Sequence, residues 1–121
     1  MNKFESFLTE KKSDYINSFI AVCILSSSYM HMKHFESKSY DDHKAYEVFY
    51  TEMPELIDKF TETYIGLGNT YTSADVKTPV TLDMVIQLGQ SVYDALCPTL
   101  QSIADEIIAL TAKTKYLLSL T

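Results

Sequence analysis

Apolar side chains recur at intervals of three and four residues through most of this 121-residue chain. That spacing is typical of amphipathic α-helices, and it continues over stretches far longer than a strand. Only three glycines and three prolines interrupt it. Because each such helix has one apolar stripe to bury, the helices must pack on one another. The pattern predicts an all-α protein, and the length predicts a single domain over residues 1–121.

Four helices are predicted, and local capping signals define most of their ends. Ser39 and Thr81 are N-cap residues, and Pro98 suits a first helical turn. The predicted bounds are Ser13 to about Lys33, Tyr40 to about Ile65, a third helix that begins at Thr81, and about 98–119. The core positions predicted for the first helix are Tyr15, Ile16, Phe19, Ile20, Cys23, Ile24 and Met30.

The lengths of the links predict how the helices pair. Short links join helices one and two and helices three and four, so each of these pairs is expected to be antiparallel. The connection over residues 66–80 is longer and can run along the whole bundle. Together these links predict a ferritin-like four-helix bundle with a crossover between helices two and three.

Composition excludes several classes of function. The net charge is −6 and all ten basic residues are lysine, whereas arginine is the preferred side chain for contacts with phosphate and guanine. Nucleic acid is therefore not an expected partner. The longest apolar run, FIAVCIL, is far shorter than the roughly twenty residues that cross a bilayer, so no membrane partner is expected. Cys23 and Cys97 are predicted to be reduced core thiols of a cytoplasmic protein.

A stripe of metal-binding side chain types lies on the second helix. At about 100° per residue, His43, Glu47, Asp58 and Glu62 share about a third of the helix circumference. Imidazole and carboxylate together suit Fe(II), Mn(II) or Zn(II). Glu62 is about 28 Å from His43 along the helix, because each residue adds 1.5 Å. A metal site that uses all four residues therefore needs a second subunit, related by a two-fold axis.

The other two histidines lie at the end of the first helix. His31 and His34 are three residues apart, so they are neighbours on one face. Antiparallel pairing across the short link places both of them near His43, in the first turn of the second helix.

These residues carry a resemblance to a known family. Their order and spacing resemble those of Dps-like mini-ferritins, members of the ferritin-like superfamily. The shared pattern is a histidine, a second histidine twelve residues later, an acidic residue four residues after that, and then a DxxxE pair. The matching positions are His31, His43, Glu47, Asp58 and Glu62. A second resemblance is closer than the one to Dps-like proteins. The segment that runs from SYDDHKA to FYTEMPELIDKFTETYIG resembles an uncharacterised phage-encoded branch of ferritin-like proteins.

The resemblance implies a metal site between two subunits. The implied ligands are His31 and His43 from one subunit, Asp58 and Glu62 from the other, and Glu47 beside them. His34 is either an additional ligand or a hydrogen-bonding support for one. Iron is the implied metal, with Zn(II) and Mn(II) as alternatives, and Fe(II) oxidation is the implied activity, with no catalytic residues apart from the ligands. The resemblance also implies a homo-oligomer, either a two-fold dimer or a dodecamer. Whether the protein is an enzyme is left open.

Two departures from the family pattern favour an alternative function. Met32 stands where the family has a tryptophan, and Pro54 falls in the middle of the second helix, where it removes a backbone hydrogen bond. A phage could use the same bundle as a non-enzymatic structural or interaction protein whose metal site has decayed. Such a protein is expected in the host cytoplasm or in the virion.

Overall fold

The computed structural model describes the backbone of residues 3–120 and the side chains of residues 12–120. Within that range the chain forms helices and no strand, which confirms the all-α prediction. The elements are α1 (Lys3–Glu36), α2 (Tyr40–Gly66), α3 (Leu82–Val92), a short 3-10 helix (Tyr93–Ala95) and α4 (Pro98–Ser119). No helix in this range is apolar over a length sufficient to cross a membrane.

The predicted caps begin three of the helices. The side chain of Ser39 accepts a hydrogen bond from the Asp42 N–H at 3.0 Å and starts α2. The side chain of Thr81 accepts one from the Met84 N–H at 3.2 Å and starts α3. Pro98 is the first residue of α4. These local hydrogen bonds satisfy amide groups that have no partner inside the helix.

The predicted bounds of the first helix were wrong. α1 begins at Lys3 rather than at Ser13, and it ends at Glu36 rather than near Lys33. The segment KFESFLTEKK contains neither glycine nor proline, so nothing in it stops a helix. Pro54 lies exposed on α2, and that helix continues through it.

The core lies between the four helices. Phe19 of α1 meets Phe60 of α2 edge to face, with ring centroids 5.5 Å apart. The largest fully buried side chains include Phe19, Ile20 and Cys23 of α1, Phe49, Met53 and Phe60 of α2, Val85 and Val92 of α3, and Ile107 of α4. Three core predictions were wrong, because Tyr15, Ile24 and Cys97 are exposed.

The four helices pack pairwise. α1 packs against α2 and α3, and α4 packs against the same two helices. Lys115, near the end of α4, forms an ion pair with Asp83 at the start of α3. Met30 of α1 and Tyr46 of α2 line the same cleft as this ion pair. The starts of α2 and α3 therefore lie at the same end of the molecule as the end of α1.

The link over residues 67–81 joins the two ends of the molecule. It leaves the end of α2, where the Asn69 side chain donates to the Tyr64 carbonyl at 3.0 Å. The side chain of Asn17 on α1 accepts a hydrogen bond from the Thr72 N–H at 3.4 Å. The link then reaches Thr81 at the opposite end, where it starts α3.

Candidate functional site at the turn between α1 and α2

The turn between α1 and α2 places two histidines opposite each other. His34 is in the last turn of α1, and His43 is in the first turn of α2. The Ser37 hydroxyl donates to the His34 carbonyl at 2.9 Å, and the Ser39 cap fixes where α2 begins. Two serines therefore set the path of the turn, and the turn sets the distance between the two imidazoles.

The two imidazoles bind each other's backbone. The Nδ1–H of His34 donates to the carbonyl oxygen of His43 at 2.8 Å. The Nδ1–H of His43 donates to the carbonyl oxygen of His34 at 3.1 Å. Only an N–H can donate to a carbonyl, so both rings carry hydrogen on Nδ1. In the neutral ring this leaves Nε2 as the nitrogen with a free lone pair.

The same two rings also stack. Their centroids are 3.5 Å apart and their planes differ by 26°. His34 is buried, with 5% of its surface exposed, and His43 is half-buried. Buried polar groups are stable only when they are hydrogen-bonded, and the reciprocal bonds meet that need. We define His34 and His43 as the histidine clasp, because they join the end of α1 to the start of α2.

His31 lies outside the clasp, between two aromatic rings. It stacks on Tyr50 of α2 with centroids 4.0 Å apart and an interplanar angle of 11°. It also stacks on Phe35, with centroids 5.1 Å apart. Its ring centroid is 6.0 Å from that of His34. Sequence reasoning did not include Phe35 and Tyr50 in the site, although Phe35 is one helical turn from His31 and Tyr50 is two turns from His43.

The carboxylates are distributed along α2. Glu47 accepts a hydrogen bond from Lys44 at 2.9 Å. That hydrogen bond and the charge of Lys44 lower the pKa of Glu47 below its ordinary value. Asp58 and Glu62 are exposed farther along the helix, and neither forms an ion pair within residues 12–120.

The single chain therefore brings together only part of the predicted metal site. His34, His43 and His31 lie close together, whereas Asp58 and Glu62 are several helical turns away from them. In the part of the chain that the structure describes, no group of three or more His, Cys, Asp or Glu side chains could hold a metal ion. The predicted site needs a second subunit, so the ligand set stays a prediction.

Comparison with known proteins identifies the family. Residues 34–118 match DUF5856, a family of unknown function. The chain belongs to the DUF5856 family. It is 35% identical to an uncharacterized 14.6 kDa protein in the mobD–ri intergenic region of Enterobacteria phage T4, over an alignment of 126 residues that covers 98% of each chain. No solved structure matches the chain.

The DUF5856 match bears on the site in two ways. It begins at His34 and so includes the whole histidine clasp together with Glu47, Asp58 and Glu62, whereas His31 precedes it. The phage T4 relative agrees with the predicted phage branch. Neither the family description nor the relative's name mentions ferritin-like proteins, so the resemblance to Dps-like proteins stays a prediction.

Proposed function

We propose that this DUF5856 protein is a phage-encoded, non-enzymatic assembly protein that pairs with a second copy of itself through the outer face of α1. The observation that carries this proposal is that α1 exposes four large apolar side chains outside its buried stripe. The T4 relative supports a phage origin, and with it a place in the host cytoplasm or in the virion. The absence of arginine and the net charge of −6 argue against nucleic acid as the partner.

One side of α1 forms core, and several large apolar side chains between residues 24 and 35 are exposed outside it. Phe19, Ile20 and Cys23 are fully buried. Four other large apolar side chains lie outside that buried stripe. At 100° per residue, Leu25 and Met32 lie nearly opposite the core, and Ile24 and Phe35 lie on the flank, roughly at right angles to it. We define them as the outer face: Ile24 (47% exposed), Leu25 (36%), Met32 (51%) and Phe35 (74%). A contiguous exposed apolar patch on a protein surface typically marks a site that a partner covers.

A second copy is the occupant that this face fits best. The outer face extends over twelve residues of a regular helix, about 18 Å at 1.5 Å per residue, with its apolar side chains at the two ends. A two-fold axis near the middle of this stretch would make two α1 helices antiparallel. Phe35 of each copy would then meet the Ile24–Leu25 segment of the other, which makes the surface self-complementary.

We also infer that the bundle has the ferritin-like topology. In that arrangement a long link carries the chain from the end of the second helix back to the end where that helix began. Two observations support the inference. The starts of α2 and α3 lie at one end of the molecule, and α1 and α4 each pack against both α2 and α3.

Light scattering during size-exclusion chromatography tests the pairing. Met32→Asp combined with Phe35→Asp places charges on the outer face, and we expect the double variant to be monomeric while the wild type is dimeric. Tyr116→Asp is the matched control, because Tyr116 is 61% exposed and lies on α4, which packs against α2 and α3. The proposal would be contradicted if the control also lost the dimer, or if the double variant stayed dimeric like the wild type.

A metal site between the two copies is the second candidate function. The histidine clasp favours it, because a metal-binding histidine usually donates its other ring N–H to a backbone carbonyl or a carboxylate, and His43 does so. The exposed carboxylates of Asp58 and Glu62 also fit a donor set for iron, Zn(II) or Mn(II). The residues that would hold the ion are His31 and His43 of one copy, Asp58 and Glu62 of the other, and Glu47 beside them.

In this second candidate each set of residues has its own role. Fe(II) would be the substrate of this site, and peroxide would be the oxidant that accepts its electrons. Here His34 would position His43 through their reciprocal hydrogen bonds, and Tyr50 would hold the His31 ring through their stacking contact. Glu47 is negatively charged at neutral pH, as any ordinary glutamate is, and because Lys44 lowers its pKa it keeps that charge in more acidic solution.

Anaerobic titration with Fe(II), followed by native mass spectrometry, tests the second candidate. His31→Ala combined with Asp58→Ala should abolish metal uptake, and it should also abolish the iron oxidation that peroxide, added after the titration, causes in the wild type. Circular dichroism should show unchanged helix content. Glu52→Ala is the control, since Glu52 is an exposed carboxylate of α2 that does not belong to the stripe. If the wild-type protein takes up no iron, Zn(II) or Mn(II) but remains dimeric, the metal-site candidate is wrong and the assembly function still stands.

A further inference from the structure

A cleft of about 400 Å³ opens at the end of the bundle where α3 begins. Parts of α1, α2, α4 and the link before α3 line it. None of the residues that line it belongs to the histidine clasp or to the outer face. Lys33, which lines the cleft, is two residues from His31, and side chains two apart on a helix point to nearly opposite sides, so the cleft is also separate from His31.

The floor of the cleft is formed by apolar side chains. Met30, Val80 and Leu82 line it although each is less than 10% exposed, and Leu118 covers another part of the wall. Small-molecule sites are typically concave, a few hundred Å³ in volume and mostly apolar, with a few polar groups that orient the ligand. The floor of this cleft therefore suits an aliphatic chain.

The rim of the cleft is rich in hydrogen-bond donors. Lys33 and Lys115 both line it, and each ammonium has three N–H groups and no acceptor. Lys115 forms an ion pair with Asp83, the one carboxylate in the described lining. Lys33 forms an ion pair with Glu36 at 3.7 Å, which is beyond hydrogen-bond distance, and both side chains are more than half exposed. Several ammonium N–H groups therefore remain free to bind a negatively charged oxygen.

We propose that this cleft binds a small amphipathic carboxylate, a free carboxylic acid with an unbranched aliphatic chain. The carboxylate lies between Lys33 and Lys115, where charge-assisted hydrogen bonds hold it. The chain lies on Met30, Val80, Leu82 and Leu118. Because these residues belong to α1, the link, α3 and α4, the bound ligand joins the end of the link to the helices around it. The proposal is independent of the assembly function.

Three eight-carbon probes that differ in the head group provide the test. Octanoate, 1-octanol and octylammonium present the same chain with a negative, a neutral and a positive head. Titrations followed by NMR of the backbone amides report both affinity and location. We expect octanoate to bind best, with shifts at Val80, Leu82 and Leu118, and octylammonium to bind worst. Each lost charge-assisted contact should weaken binding about tenfold.

Three variants and one control make the assignment specific. Lys33→Gln and Lys115→Gln should each weaken octanoate binding about tenfold while leaving 1-octanol binding unchanged. Ser119→Phe should block all three probes, because Ser119 is on the exposed rim and the larger side chain fills the cleft without altering its charge. Lys113→Gln is the control, since Lys113 is an exposed lysine of α4 outside the lining.

Three outcomes would overturn the proposal. Equal affinity for octanoate and 1-octanol would show that the cleft does not recognise the charge. Shifts at residues remote from Val80 and Leu118 would place the binding elsewhere. If octanoate bound with the same affinity to the wild type, to both Lys→Gln variants and to Ser119→Phe, the cleft would not be its binding site.

Discussion

His34 and His43 bind each other's backbone carbonyl oxygen and stack their rings 3.5 Å apart. Each residue is thus both donor and acceptor for the other. The clasp joins α1 to α2 beside a turn of only three residues, 37–39, whose own hydrogen bonds come from Ser37 and Ser39. These contacts tie the α1–α2 hairpin together at its turn.

Replacing His34 by alanine should destabilise the protein. The substitution removes a buried ring, its stacking contact and the hydrogen bond from the His34 side chain to the His43 carbonyl. We expect it to cost about 2–3 kcal/mol in the free energy of unfolding. Urea denaturation measures this cost. His31→Ala is the matched control, because His31 is exposed, and it should cost about 1 kcal/mol or less. Equal effects of the two substitutions would contradict the clasp.

The two histidines should also be energetically coupled. In a double-mutant cycle, His34→Ala and His43→Ala together should cost less than the sum of the single changes by about 1 kcal/mol. The reason is that either change alone already removes the stacking contact. Strict additivity, measured by urea denaturation of all four proteins, would mean that the two rings act independently.

The two cysteines should react at very different rates. Cys23 is fully buried, and burial raises the pKa of its thiol far above the ordinary value, so almost no reactive thiolate exists at neutral pH. Cys97 is exposed. Ellman's reagent should therefore label one thiol per folded chain quickly and the second only after unfolding. The Cys97→Ser variant should lose the fast phase, and a fast phase that survives in it would contradict the burial of Cys23.

Gly89→Ala should lower stability even though alanine favours helices. A Cβ atom at residue 89 of α3 would lie 3.0 Å from Cγ1 of Ile108 and 3.3 Å from the Phe19 ring. Overpacking costs about 1–3 kcal/mol, and the gain in helix propensity is about 1 kcal/mol. Because Phe19 is fully buried and has little room to move, we expect a net loss of about 1 kcal/mol in thermal or urea unfolding.

Gly66→Ala is the control for that prediction. Gly66 is the last residue of α2, and an added Cβ there would have nothing within 4 Å. Its stability should be unchanged or slightly raised, because alanine restricts the unfolded chain more than glycine does. If Gly89→Ala is stabilising to the same extent, the close packing of α3 on α1 and α4 is not as described.

Local sequence signals predicted some elements well and others poorly. Ser39, Thr81 and Pro98 act on the amide groups beside them, so the starts of α2, α3 and α4 were predictable from the sequence. Apolar periodicity could not choose the buried side of α1, because apolar residues occur on both sides, and Ile24 was assigned to the core although it is exposed. No local stop signal exists before Ser13, so the start of α1 was misplaced.

The candidate site was predictable in its residue types but not in its contacts. Spacing placed His31 and His34 near His43, because short links make neighbouring helices antiparallel. It could not show that His34 binds the His43 carbonyl, since this depends on the path of the turn. The stacking of Tyr50 on His31 likewise depends on how α1 and α2 are rotated against each other. The positions of Asp58 and Glu62 relative to a second subunit are not determined by one chain.

Native mass spectrometry of the unmodified protein tests the central proposal most directly. The masses are measured over a range of micromolar concentrations, before and after Fe(II) is added anaerobically. We predict a dimer of two 13.8 kDa chains, or a multiple of that dimer, in the absence of metal. A monomer at every concentration would contradict self-association through the outer face of α1. A dimer that forms only after Fe(II) is added would also contradict it, and would make the inter-subunit metal site the better account.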